Sequence, residues 1–200
     1  MSNPAIDALR KRRTQYALGK NLPIAETEAE ALIHEAVRLA PSSFNSQSSR
    51  AVILFGAASV KLWNIVRETL RPLVPADQFG STDKKLDGFA AGAGTVLFFE
   101  DGETIRDLQE KYALYAEHFP VFSEHSAGMA QLAVWTALAE AGIGASLQHY
   151  NPLIDAEVTR TWNLPPAWKL RAQMPFGSNE KPFGEKTYID DAIRFRTFRD

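Results

Sequence analysis

A chain of 200 residues, 45% hydrophobic and 23% charged, suits one domain with a sizeable core and carries no compositional mark of disorder. Its net charge of -2 gives no electrostatic reason to bind nucleic acid. The lack of any cysteine excludes disulfides, thiolate catalysis and cysteine metal sites together.

Residues 4–12 read as a short helix, with Asn3 placed to cap it and Pro4 suited to its first position. Ile6 and Leu9, three apart, give it one face that can dock. Residues 26–40 form a longer helix: Leu32, Ile33, Ala36, Val37 and Ala40 keep helical spacing, and Pro41 ends it. The apolar run 51–55, bounded by Arg50 and Gly56, predicts a buried strand, and residues 59–70 a helix capped by Ser59. Residues 71–88, with Pro72, Pro75, Gly80 and mixed charges, read as irregular. The β-branched and aromatic run 95–99 predicts a second central strand. A helix is expected over 108–119; its aromatics Tyr112, Tyr115 and Phe119, with Phe122 beyond, make a stripe that serves either packing or an acceptor pocket.

Residues 124–141 are the most informative structurally. From Ala127 to Ala141 only Gln131, Thr136 and Glu140 are polar, and they share no face, so the helix must be buried nearly all round. A chain of 200 residues has little protein to surround it, which predicts packing against a second copy. The small residues Ala127, Gly128, Ala130, Ala133, Ala137 and Ala141 permit close approach. Beyond lie a third strand at 145–148, a short helix at 155–161, a proline-fixed turn at 162–166 and a fourth strand at 170–176. The architecture expected is α+β: a mixed central sheet flanked by helices, one domain over residues 1–200, dimeric through a long buried central helix.

Chemistry has few places to sit. Gly92-Ala93-Gly94 precedes its strand and lacks the third glycine of a dinucleotide fingerprint. No phosphate-cradling P-loop, no nucleophile elbow and no metal-ligand spacing is present. The loop Pro41-Ser42-Ser43-Phe44-Asn45-Ser46-Gln47 is different, because it concentrates hydroxyls and amides between a helix and a strand. Asn45 and Gln47 each carry donors and an acceptor, which suits the edge of a flat heteroaromatic ring; the same composition also makes an ordinary polar turn.

That loop, together with Arg12-Arg13-Thr14 upstream, resembles the nitroreductase family of FMN-dependent oxidoreductases, in its short fungal-type branch. Two further segments match in order: residues 142–152, running from Gly142 to Pro152, and Met174-Pro175-Phe176-Gly177, followed by Lys186 and Arg194. The resemblance implies that Arg12, Arg13 and Thr14 hold the FMN phosphate and ribityl chain, aided by Lys186 or Arg194. It implies that Ser42, Ser43, Asn45 and Gln47 address the ring edge and reach into a partner subunit's site. Ser146, Leu147, Gln148 and His149 would lie over the flavin, with a backbone N–H from this stretch near ring atom N5. His149 either moves protons, or orders the loop or lines the substrate face. Arg50 is either a charge near the flavin or a surface ion pair. Where many members have a further arginine this chain has Tyr16, and Ser48-Ser49 stand where many have a proline and a tryptophan.

The activity implied is NADH- or NADPH-dependent reduction of nitroaromatics or quinones by a homodimer, in ping-pong fashion, without a catalytic side chain or a metal. A flavin-binding protein that turns over no acceptor is the alternative. No apolar stretch approaches the ~20 residues needed to cross a bilayer, and the first residues lack a signal-peptide core, so a soluble cytoplasmic protein is expected.

Overall fold

The computed structural model describes residues 3–199; Met1, Ser2 and Asp200, the ends of the expected domain, lie outside the described residues. The chain begins with α1 (Pro4–Lys11), where the Asn3 side chain accepts hydrogen bonds from the backbone N–H groups of Ala5 and Ile6. The two-residue strand β1 (Leu18–Gly19) leads to α2 (Glu26–Leu39), then to β2 (Ser49–Phe55), α3 (Gly56–Leu70) and α4 (Phe79–Ala90). Strand β3 (Gly94–Asp101) precedes α5 (Gly102–Lys111) and the long α6 (Phe119–Glu140), which Gly142 terminates at a φ of +77°. Last come β4 (Gly144–Ala145), α7 (Asp155–Trp162), β5 (Trp168–Asn179) and the short α8 (Asp191–Arg194).

The sheet runs β1-β5-β3-β2, with β4 also on β5. All pairings between these strands are antiparallel, and an isolated bridge from Thr14 to Ala145 adds a parallel one. Side chains alternate along β3, so it feeds two cores. Val96 and Phe98 pack with Ala172, Met174 and Phe176 of β5 under α2 and α6. Leu97 and Phe99 pack on the opposite face against Trp63, Leu86 and Val158 of α3, α4 and α7. Strand β1 crosses β5 so closely that a Cβ at Gly177 would fall 2.1 Å from the Gly19 carbonyl, which only glycine avoids.

Several expectations are corrected. Residues 79–90, placed in an irregular stretch, are helix α4: Phe79, Leu86 and Phe89 are all buried, and their stripe overrides the charges between them. Helix α3 starts three residues before Ser59, whose hydroxyl is buried 2.7 Å from Thr95 Oγ1 instead of capping. The helix expected over 108–119 breaks at Tyr112 (φ -125°, ψ 62°), so α5 ends there and a 3-10 turn, Ala113–His118, leads into α6. Strand β2 is an edge with only Leu54 buried, and the third strand is just two residues long, with Gln148 rejoining Gln173 as a single bridge.

Helix α6 is apolar on all sides but covered on one. Ala127, Ala130, Val134 and Leu138 face the chain's own core. Val121, Gly128, Met129 and Leu132 lie exposed along the other side, Met129 at 36% and Leu132 at 44%.

Candidate functional site

Pro41 stops α2, and the chain turns sharply through residues 42–47. The Gln47 N–H donates to Ser42 Oγ at 2.9 Å, and the Asn45 N–H to the Ser42 carbonyl at 3.0 Å. Phe44, Asn45 and Gln47 all have positive φ, at 57°, 50° and 49°, with no glycine among them. Left-handed backbone costs about 1 to 2 kcal/mol for an L-residue, so three of them make a loop that persists only because its surroundings hold it. One such hold is aromatic: the Phe44 ring lies 5.0 Å from that of Tyr112, 5.9 Å from Tyr115 and 5.2 Å from Phe119. Another is the Ser43 N–H, which donates to Ser126 Oγ on α6. Asn45 and Gln47 stay exposed, their amides open to a ligand.

Arg50 is engaged in an ion pair. Its guanidinium sits 2.7 Å from Asp101 Oδ2 and donates to the Gln47 carbonyl at 2.5 Å, so it braces the loop.

The second group forms where α1 ends. Thr14 bridges to Ala145 and the Gln15 N–H donates to the Ala145 carbonyl, which lays residues 12–15 along β4. Arg12 stacks on Trp135 of α6, and Arg13 donates to the Gly184 carbonyl at 2.5 Å. Gln15 donates to the Lys181 carbonyl at 2.7 Å, fixing the start of the C-terminal tail beside them. Burial, then the charge of Arg13, push the Arg12 pKa down from its ordinary value. Among the described residues no carboxylate pairs with Arg12 or Arg13. Two adjacent cations, one desolvated, lack a counter-charge, and a phosphate dianion has the charge and acceptor geometry to supply it.

The stretch after β4 divides by alternation. The N–H groups of Ser146 and Gln148 donate to the Pro175 and Gln173 carbonyls, and that of Tyr150 to Gln173 Oε1. Those of Leu147 and His149 have no partner among the described residues, which leaves them as the donors this segment can offer a ligand. The Ser146 side chain is buried and accepts from Gln148 Nε2 at 3.1 Å; the His149 side chain is exposed. Lys186 follows Gly184 by two residues, so its Cα is within about 7 Å of the Arg13 contact. Its ammonium lies over the Tyr188 ring. Arg194 sits eight residues further on, in α8, with no contact to Arg13 among the described residues.

In one chain the two groups contact α6 at separate points, the loop in its first half and Arg12 in its second. The loop touches Ser126 and Arg12 touches Trp135, nine residues apart or about 13 Å along the helix axis. The cavity behind the loop is only about 150 Å³, and the one beside Thr14 is an open groove of about 440 Å³ under residues 181–184.

The nitroreductase family profile matches residues 9–178, most of the chain. The chain belongs to the nitroreductase family. The Saccharomyces cerevisiae nitroreductase-related protein HBN1 is 36% identical over 190 residues, 94% of each chain. Among solved structures, the nitroreductase CinD from Lactococcus lactis in complex with chloramphenicol is 52% identical, with a TM-score of 0.90 over 98% of this chain and 100% of that one. CinD has also been solved with 4-nitrophenol. An FMN complex from Desulfovibrio desulfuricans, 20% identical, shares the fold at a TM-score of 0.71 over 100% of both chains.

In this nitroreductase-family chain, sequence reasoning missed Trp135, which looks like core in an apolar helix, and the tail segment 181–184. It also missed Gln173, whose buried amide accepts from the Tyr150 N–H and donates to Asn151 Oδ1. No local signal marks these; each acts through a partner more than twenty residues away.

Proposed function

We propose that the protein is an FMN-dependent oxidoreductase, a homodimer that takes reducing equivalents from NADH or NADPH and delivers them to a nitroaromatic or quinone. The observation that carries this reading is the Arg12–Arg13 pair, two cations with no paired acid among the described residues, beside a buried strand. When bound, FMN supplies the atom that accepts and releases hydride. Arg12, Arg13 and Thr14 would hold the phosphate end, with Lys186 favoured over Arg194 because the Gly184 contact brings it near. Asn45 and Gln47 would pair with the carbonyls and N–H of the ring edge, Ser42 and Ser43 shaping the turn beneath them. The N–H groups of Leu147 and His149 would face the ring from above, while Ser146 and Gln148 brace that strand from within. The FMN-bound fold relative supports the cofactor. Chloramphenicol and 4-nitrophenol, both nitroaromatic ligands of CinD, support the acceptor class.

The way α6 is used supports the homodimer. The midpoint between Ser126 and Trp135 is also the midpoint between Met129 and Leu132, the exposed apolar pair. An antiparallel pairing of two α6 helices on that stripe sets Met129 of one copy against Leu132 of the other. It also sets the loop end of one beside the arginine end of the other, joining the two half-sites twice per dimer. Exposed apolar residues in the tail, Phe183, Tyr188, Ile189, Ile193, Phe195 and Phe198, offer further surface for the second copy. A cytoplasmic location, where both nicotinamides are available, fits this chemistry.

The test is spectroscopic. The purified protein should take up FMN stoichiometrically, lose its flavin absorption on anaerobic addition of NADH or NADPH, and regain it with 4-nitrophenol or a quinone. Protein that binds FMN but is not bleached by either nicotinamide would instead be a non-catalytic flavin carrier.

A further inference from the structure

Glu100, near the end of β3, is 1% exposed, yet no cation pairs with it among the described residues. Its partners are three serine hydroxyls. Ser48 and Ser123 donate to Oε2 at 2.5 and 3.0 Å, and Ser49 donates to Oε1 at 2.5 Å. They come from the exit of the loop, the start of β2 and the first turns of α6, so one carboxylate ties together the elements that frame residues 42–47. The next residue, Asp101, grips the same exit: it pairs with Arg50, and its N–H donates to the Ser48 carbonyl at 3.0 Å.

The acid also sets proton directions. The Ser48 hydroxyl donates to Glu100, so its proton points at the carboxyl oxygen. Ser46 Oγ lies 3.3 Å from Ser48 Oγ, and with that proton committed Ser46 must be the donor between them. The relay Ser46 to Ser48 to Glu100 thus fixes a hydroxyl within the loop itself. Three left-handed residues with no glycine need such an anchor, because the relaxed backbone would otherwise swing Asn45 and Gln47 away.

We infer that Glu100 is a positioning residue for the flavin: its buried carboxylate, through Ser48, Ser49 and Ser123, holds the loop 42–47 in the conformation that presents Asn45 and Gln47 to the ring edge. The inference rests on the flavin reading of that loop.

The test compares Glu100→Ala and Glu100→Gln with the wild type, reading FMN Kd, flavin midpoint potential and thermal unfolding of each apoprotein. Glutamine can keep all three contacts, since hydroxyls rotate to accept as well as donate. Glu100→Ala should weaken FMN binding about tenfold or more and shift the potential, whereas Glu100→Gln stays near wild type in both. A Glu100→Ala protein with wild-type Kd and potential, changed only in unfolding temperature, overturns the inference. If Glu100→Ala does not fold, Ser49→Ala decides by the same readouts: weakened binding supports the inference and wild-type binding overturns it. A wild-type protein that binds no FMN fails earlier and separately, and removes the flavin reading itself.

Discussion

The Arg12 guanidinium lies 4.3 Å from the centroid of the Trp135 ring, a cation resting on an aromatic face in the middle of α6. The stack holds the charge where burial disfavours it and an anion would relieve it. It also links α1 to the helix whose other end carries the polar loop.

Arg12→Ala combined with Arg13→Ala should reduce FMN affinity by a hundredfold or more, since each charge-assisted hydrogen bond contributes roughly 1.5 to 3 kcal/mol. The dimer should survive, because neither side chain lies on the exposed Met129–Leu132 stripe of α6. Flavin content after gel filtration, with the elution volume, checks both. Unchanged content would remove the arginines from the site.

Asn45 needs two substitutions because it is left-handed at a φ of 50°. Asn45→Gly keeps the backbone and removes the amide, while Asn45→Ala adds strain of about 1 kcal/mol or more. Both should weaken FMN binding or shift its potential. Wild-type behaviour of Asn45→Gly would show that the amide makes no contact with the ring.

Assembly should respond to Leu132 and not in the same way to Ala130. Leu132→Glu places a charge on the exposed stripe and should yield folded monomers by analytical ultracentrifugation. Ala130→Glu buries a charge in the chain's own core, at 1% exposure, and should lower the unfolding temperature. A Leu132→Glu protein that still sediments as a dimer would move the interface elsewhere.

Asp155 gives a pH signature. Burial raises its pKa above 3.8, partly offset by Arg171, and its Oδ1 has no hydrogen-bond partner among the described residues. The folded state therefore holds this proton more tightly than the unfolded state, and the charge is a cost at neutral pH that disappears as pH falls through the raised value toward 3.8. Asp155→Asn should melt higher than wild type at neutral pH, with the gap closing on acidification. A gap independent of pH would assign the effect to packing.

The fold was legible where periodicity and punctuation agreed: Asn3 and Pro4 start α1, Pro41 stops α2, and the run 95–99 is the centre of the sheet. Helix α4 was hidden because Pro72 and Pro75 crowd its approach, Gly80 sits in its first turn, and its buried residues Phe79, Leu86 and Phe89 are separated by charges. The all-round apolar character of α6 was visible, but which side faces its own core was not; that depends on α2, α1 and the sheet. At the site, residue types were readable and geometry was not. The positive φ values of Phe44, Asn45 and Gln47 carry no local glycine signal, the loop's exit is bonded to Glu100 more than fifty residues away, and the company of Arg13 is a tail carbonyl at Gly184.

The claim that each flavin site is built from two copies is tested most directly by co-expressing the Arg12→Ala/Arg13→Ala chain with the Asn45→Gly chain and isolating the mixed dimer. A shared site predicts recovery: one crevice collects both lesions, the other collects none and binds FMN with wild-type affinity. If the arginines and the loop of a single chain serve the same flavin, every crevice carries one lesion, and a mixed dimer with no wild-type site would contradict the account.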